Sequence, residues 1–147
     1  MNAPARPALR QAEDDADIRA CFPLIRQLRP HLASADEFLA RVRRQNADGY
    51  RLLVAWEHGV PVALAGYRPA ETLMRGRFLY VDDLVTAETA RGCGLGARLL
   101  RALADQARAM GLPALVLDTG IDNLRAQRFY EREGMRAAAR RYAMRLA

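Results

Sequence analysis

Apolar residues at Ile18, Phe22, Ile25 and Leu28 recur at intervals of three and four, one face of a helix. Asp14, Asp15 and Asp17 supply N-cap candidates before it, and Pro30 ends it. Ser34 followed by Glu37 is a capping-box pattern, and Phe38, Leu39 and Val42 give the second helix its apolar stripe. Asp48-Gly49 closes that helix as a turn. The period then changes from helical to alternating. Residues 50–56 and 60–67 are β-rich runs split by the tight-turn signal Glu57-His58-Gly59, and a third run, 77–86, follows a turn near Arg75-Gly76. These three read as an antiparallel meander, with a short first strand over 8–12. A long helix runs to Met110, burying Leu95, Leu99, Leu103 and Met110, and Gly111 with Pro113 forms its stop. Residues 114–118 form a continuous apolar strand, expected to be buried on both faces. Asp122 caps a helix that ends at Gly134. Residues 135–146 are expected to form a final strand or hairpin. The order β, α, α, β, β, β, α, β, α, β predicts a mixed α/β sheet with helices on both faces.

The chain has 147 residues, which argues for one domain, 1–147, with a loose tail over 1–7. Hydrophobic residues make up 51% and charged residues 27%, a globular balance that excludes a disordered or collagen-like chain. No apolar run approaches the ~18 residues of a membrane span, and the first twelve residues lack a secretory signal. Cys21 and Cys93 form no disulfide framework, so the expected compartment is a reducing cytoplasm. The net charge is +6, and all 23 basic residues are arginine. They are spread along the chain and no nucleic-acid signature accompanies them, so a nucleic-acid partner is not expected. His31 and His58 belong to no metal-spaced pair, and no metal is expected.

Candidate chemistry concentrates where the third meander strand passes into the long helix. Arg91-Gly92-Cys93-Gly94-Leu95-Gly96 links the two. Its glycines let a ligand approach the backbone, and the first N–H groups of the helix point outward at the positive end of its dipole. A phosphate or pyrophosphate suits such a place, with Arg91 adding a full charge. A Walker loop is excluded because no Gly-Lys-Ser/Thr occurs. A dinucleotide-binding unit is excluded because it would open the domain, whereas three antiparallel strands come first.

The loop Arg91 to Gly96, the preceding Tyr80-Val81-Asp82-Asp83-Leu84-Val85-Thr86, and the later Asn123-x-x-Ala126-x-x-Phe129-Tyr130-x-x-x-Gly134-Met135 together resemble the Gcn5-related N-acetyltransferase (GNAT) family. The resemblance covers residues 52–135 well and the two N-terminal helices by order alone. It implies a mostly antiparallel central sheet flanked by helices, its central strands splayed between Leu84–Thr86 and 114–118. It implies acetyl-CoA as co-substrate: the backbone of Leu84, Val85 and Thr86 pairing with the pantetheine arm, Arg91, Gly92, Cys93, Gly94, Leu95, Gly96 and Ala97 cradling the pyrophosphate, and Asn123 near the pantetheine. Tyr130 would lie near the thioester sulfur and act as the acid for the leaving thiolate.

Asp82 and Asp83 are the candidates for accepting the amine proton. In a regular strand only one of them can face the acceptor. Members of the family carry a bulge here, which breaks the alternation, and their first acid often acts as base, a role that maps to Asp82. Direct attack makes Cys93 a filler of the glycine turn. The expected acceptor is a primary amine of a small molecule or a peptide N-terminus. Arg26, Arg29, Arg68, Arg75, Arg77, Arg140 and Arg141 would favour a carboxylate or phosphate on it, whereas the two acids would favour a polyamine. The alternative reading is a non-catalytic acetyl-CoA-binding sensor or complex subunit. The resemblance allows a homodimer, and no stripe in the chain reports one. Having no lysine, the protein could acetylate itself only at its α-amino group.

Overall fold

A computed structural model describes residues 6–147. Its elements are β1 (Ala8–Gln11), α1 (Asp15–Ala20), α2 (Phe22–Leu28), α3 (Ala35–Asn46), β2 (Arg51–Glu57), β3 (Val60–Thr72), β4 (Gly76–Thr86), α4 (Leu95–Ala109), β5 (Leu115–Leu117) and α5 (Leu124–Arg132), with one 3₁₀ turn at Glu88–Ala90. Residues 1–5 of the expected loose tail lie outside the described residues. Pro7, the last residue of that tail, is tied down: its carbonyl accepts from Arg98 Nη1 at 2.9 Å.

The chain divides into a larger unit, residues 1–116, and a smaller one, residues 117–147. The sheet runs in the order β1-β2-β3-β4-β5, and β1 to β4 pair antiparallel in sequence. The β2–β3 hairpin closes on His58 (φ 50°) and Gly59 (φ 75°), the left-handed pair that a two-residue turn needs. On its β5 side, Leu79 N–H of β4 donates to the Ala114 carbonyl at 2.9 Å.

The sheet buries two faces in the larger unit. On one, Tyr50 just before β2 and Leu52, Val54 and Trp56 along it alternate and join Leu64 of β3 and Val85 of β4 under α1, α2 and α3. On the other, Tyr67 of β3 meets Gln106 of α4, whose side-chain amide donates to the tyrosine hydroxyl at 3.0 Å. Helix α4 buries Leu95, Leu99, Leu100 and Leu103. At roughly 2 kcal/mol per buried leucine, this burial fixes the helix and therefore its first turn.

The expected single first helix is two. Pro23 stands at the second position of α2 and cannot supply the N–H that a continuous helix requires there. Cys21, at the joint, is fully buried, and burial pushes its thiol up to about 12, so it stays protonated and inert. Three further expectations are corrected. Met110 is 41% exposed, because the helix ends at Ala109. The strand at 114–118 is shorter, Leu115–Leu117, and only half-buried. No strand forms over 135–147: its apolar residues Tyr142, Met144 and Leu146 are exposed. No described helix is long and apolar enough to cross a membrane.

Candidate functional site

Strand β4 carries the two acids, and its pairing with β3 decides where they point. Gly66 lies opposite Asp83, but the next residue, Tyr67, lies opposite Val81, so Asp82 has no partner across the ladder. This is a β-bulge. Directly opposed residues share a face. Val81 therefore sides with Tyr67, on the α4 face, and alternation carries Asp82 to the α2 face. Asp83 opposes Gly66, whose other neighbour Leu52 belongs to the core under α1–α3, so Asp83 lies on the α2 face as well. The alternation of a regular strand would place only one acid on this face; the bulge, as expected, breaks it, and both acids line one cavity of about 230 Å³. Ile25, Leu32, Phe38 and Val42 make its apolar wall, and Arg29, His31, Arg41, Gln45 and Tyr50 supply its other polar groups.

The acids differ in their partners. Asp83 accepts from Tyr50 Oη at 2.6 Å and from Arg29 Nε at 3.0 Å, so each of its oxygens is engaged. Asp82 takes a fork from Arg68, Nε at 2.9 Å and Nη2 at 3.3 Å. Burial nevertheless holds the Asp82 carboxyl above the usual aspartate range, against the pull of Arg68. Its side chain keeps 23% of its surface exposed, against 14% for Asp83. A carboxylate has about four lone-pair sites, so the fork leaves Asp82 with acceptor capacity that a proton donor in the cavity can reach.

Beyond β4, the backbone turns at Gly92 (φ 83°) and Gly94 (φ 76°). Gly94 is the N-cap of α4 and provides no capping side chain. A Cβ placed on either glycine would meet nothing within 4 Å. The backbone there is therefore open to approach, beside the outward N–H groups of a helix's first turn. Arg91, Gly92, Cys93 and Gly94 are exposed, Gly96 and Ala97 are half-buried, and Leu95 contributes backbone alone, its side chain being in the core. Upstream, Leu84, Val85 and Thr86 pair on one edge with Ala65, Leu64 and Ala63.

In the smaller unit, Asn123 rather than Asp122 caps α5, its side chain accepting from Ala126 N at 3.1 Å. Tyr130 is half-buried beside Phe129, ring centroids 5.2 Å apart. Burial raises its phenol above the usual tyrosine value, so it is protonated at neutral pH and able to donate.

The acetyltransferase (GNAT) family model matches residues 15–135, a span holding the bulged strand, the glycine turn and Tyr130. The chain belongs to the acetyltransferase (GNAT) family. It is 29% identical over 123 residues to the uncharacterized N-acetyltransferase YhdJ of Bacillus subtilis (strain 168), covering 83% of this chain and 86% of that one. To YhfO, an uncharacterized N-acetyltransferase of the same organism, it is 32% identical over 133 residues, covering 86% and 87%. An aminoglycoside N-acetyltransferase solved in complex with CoA superposes with a TM-score of 0.82 at 18% identity, over 99% of each chain; that likeness concerns the fold. As a GNAT enzyme the protein is an acyltransferase of the N-acetyltransferase type.

For this acetyltransferase, the pattern of motifs misses Tyr50, His31 and Arg41 as cavity residues. Of the seven arginines expected around an acceptor, Arg29 lines the cavity and Arg68 stands behind Asp82. The signal for Tyr50 is faint: it reads as a strand-opening aromatic, and Asp83 is 33 residues away in sequence.

Proposed function

We propose that this acetyltransferase uses acetyl-CoA as co-substrate and transfers the acetyl group directly to a primary amine of a small molecule or a peptide N-terminus. The observation that carries the reading is the open glycine turn at Gly92–Gly94, on an uncapped helix N-terminus, in a chain of this family. The turn fits a pyrophosphate: an L side chain at either glycine would adopt an unfavoured φ and stand in the space a ligand needs. Arg91, Gly92, Cys93, Gly94, Leu95, Gly96 and Ala97 would hold the diphosphate, the backbone of Leu84, Val85 and Thr86 the pantetheine, and Asn123 a further polar contact. When bound, acetyl-CoA supplies the activated thioester carbonyl.

The chain's own residues divide the proton work. Asp82 accepts the proton of the attacking amine, directly or through a water, because burial has raised its basicity while leaving it reachable. Asp83 has both oxygens taken up by Tyr50 and Arg29. Tyr130, held protonated, donates to the departing thiolate. Both acids are already paired with arginine, which weakens the case for a polyamine acceptor and favours an acceptor with a single amine. The cavity, below the ~300 Å³ of drug-sized sites, suits a small acceptor or the tip of a peptide.

The test is free-thiol release from acetyl-CoA across a panel of amino acids, polyamines, aminoglycosides and peptides. Release dependent on one amine class supports the reading, and coenzyme binding without any productive amine overturns the transfer assignment. Tyr130→Phe is expected to lower kcat by ~10²-fold or more with little change in coenzyme affinity. An unchanged kcat removes its role as acid.

A further inference from the structure

We propose that Tyr50 and Arg29 are positioning residues of this active site: by clamping Asp83 and the backbone of Asp82 they hold the β4 bulge in the shape that turns the Asp82 carboxylate into the cavity. The inference rests on the assignment of Asp82 as proton acceptor.

Three separate parts of the chain converge on the bulge. Tyr50 immediately precedes β2, Arg29 immediately follows α2, and the acids are in β4. Arg29 spans the irregular step, its Nε on Asp83 Oδ1 at 3.0 Å and its Nη2 on the Asp82 carbonyl at 2.8 Å. That carbonyl belongs to the residue left out of the β3 register, so Arg29 grips the bulge at its extra residue. Tyr50 closes the other side, its hydroxyl donating to Asp83 Oδ2 at 2.6 Å from a residue only 3% exposed.

Gly66 makes room for the pair. A Cβ there would fall 1.9 Å from Tyr50 Oη and 2.7 Å from Asp83 Oδ2. The glycine opposite the bulge is thus required by the side chains it admits, since its own φ is ordinary for any residue. A bulge needed only for sheet curvature would call for neither this gap nor a buried tyrosine–carboxylate bond.

The charged and titratable groups around Asp82 are Arg68 from β3, Asp83 on its own strand, Arg29 after α2, and Tyr50 through Asp83; His31 and Arg41 line the same cavity. Tyr50→Phe removes one hydroxyl and no charge. Gly66→Ala removes nothing and wedges the pair apart. Each is expected to relax the bulge and let water reach Asp82.

The experiment is a carboxyl titration followed by carbon-detected NMR on the uncomplexed full chain. The parent Asp82 should titrate above ordinary aspartate. In Tyr50→Phe and in Gly66→Ala its midpoint should fall by about half a unit or more toward the ordinary value. An Asp82 midpoint that stays at the parent value in either folded variant overturns the proposal, as does a parent midpoint already in the ordinary range. Failure of the underlying assignment looks different: Asp82→Asn would leave the pH–rate profile intact while the midpoint shifts in the Tyr50 and Gly66 variants persist.

Discussion

Gly94→Glu is expected to abolish binding of acetyl-CoA, with a loss of more than ~100-fold in affinity, about 2.7 kcal/mol. Two effects add. Gly94 sits at φ 76°, a left-handed conformation that costs an L residue roughly 1–2 kcal/mol. The glutamate would also place a negative charge at the start of α4, where the proposed ligand is itself a polyanion. Space does not oppose the substitution, since a Cβ meets nothing within 4 Å, so the fold should survive and the loss should be specific. Gly94→Ala isolates the backbone strain and is expected to weaken binding only modestly. Isothermal calorimetry with acetyl-CoA measures both variants, and circular dichroism verifies the fold. Retained affinity in Gly94→Glu would remove the loop as the diphosphate site.

Asp82→Asn should lower kcat by ~10²-fold or more and flatten the limb of the pH–rate profile that rises toward alkaline pH. The sign follows from the site. In the proposed role Asp82 must be ionised, and burial keeps it protonated to a higher pH than an ordinary aspartate, so the rate is expected to climb as pH passes through that raised value. Asparagine cannot ionise, and this limb disappears. Stability moves the opposite way to an acid whose pKa folding lowers. The folded chain holds the Asp82 proton more tightly than the unfolded one, so the favourable contribution is complete below the unfolded pKa and fades as pH rises through the folded one. Urea midpoints of Asp82→Asn, relative to the parent, should therefore improve across that acidic window. If Asp83→Asn removes the rising limb and Asp82→Asn does not, the two acids exchange roles.

The β2–β4 meander, the caps at Ser34 and Gly111 and the glycine turn are legible from the chain because each depends on residues close in sequence. Glu37 N–H does donate to Ser34 Oγ at 3.1 Å, and Gly111 does adopt φ 72° after α4. What the pattern of residues cannot supply is convergence across distance. Tyr50 and Arg29 are 33 and 54 positions from Asp83, and no periodicity links them. The bulge is readable only by resemblance, because local preferences do not reveal that Asp82 lacks a cross-strand partner. The last segment errs in the other direction. Tyr142, Met144 and Leu146 have the two-residue period of a strand, but a strand also needs a ladder, and these residues stand exposed without one among the described residues.

The bulge also separates architecture from chemistry on β4. Excising Asp82 would bring Val81 next to Asp83, while the pairings Tyr67–Val81 and Gly66–Asp83 could both persist. Every other side chain of the strand would keep its present face. Asp82 is therefore a supernumerary residue in a sheet whose geometry is complete without it, and a one-codon deletion would leave the scaffold in phase while withdrawing a single carboxylate.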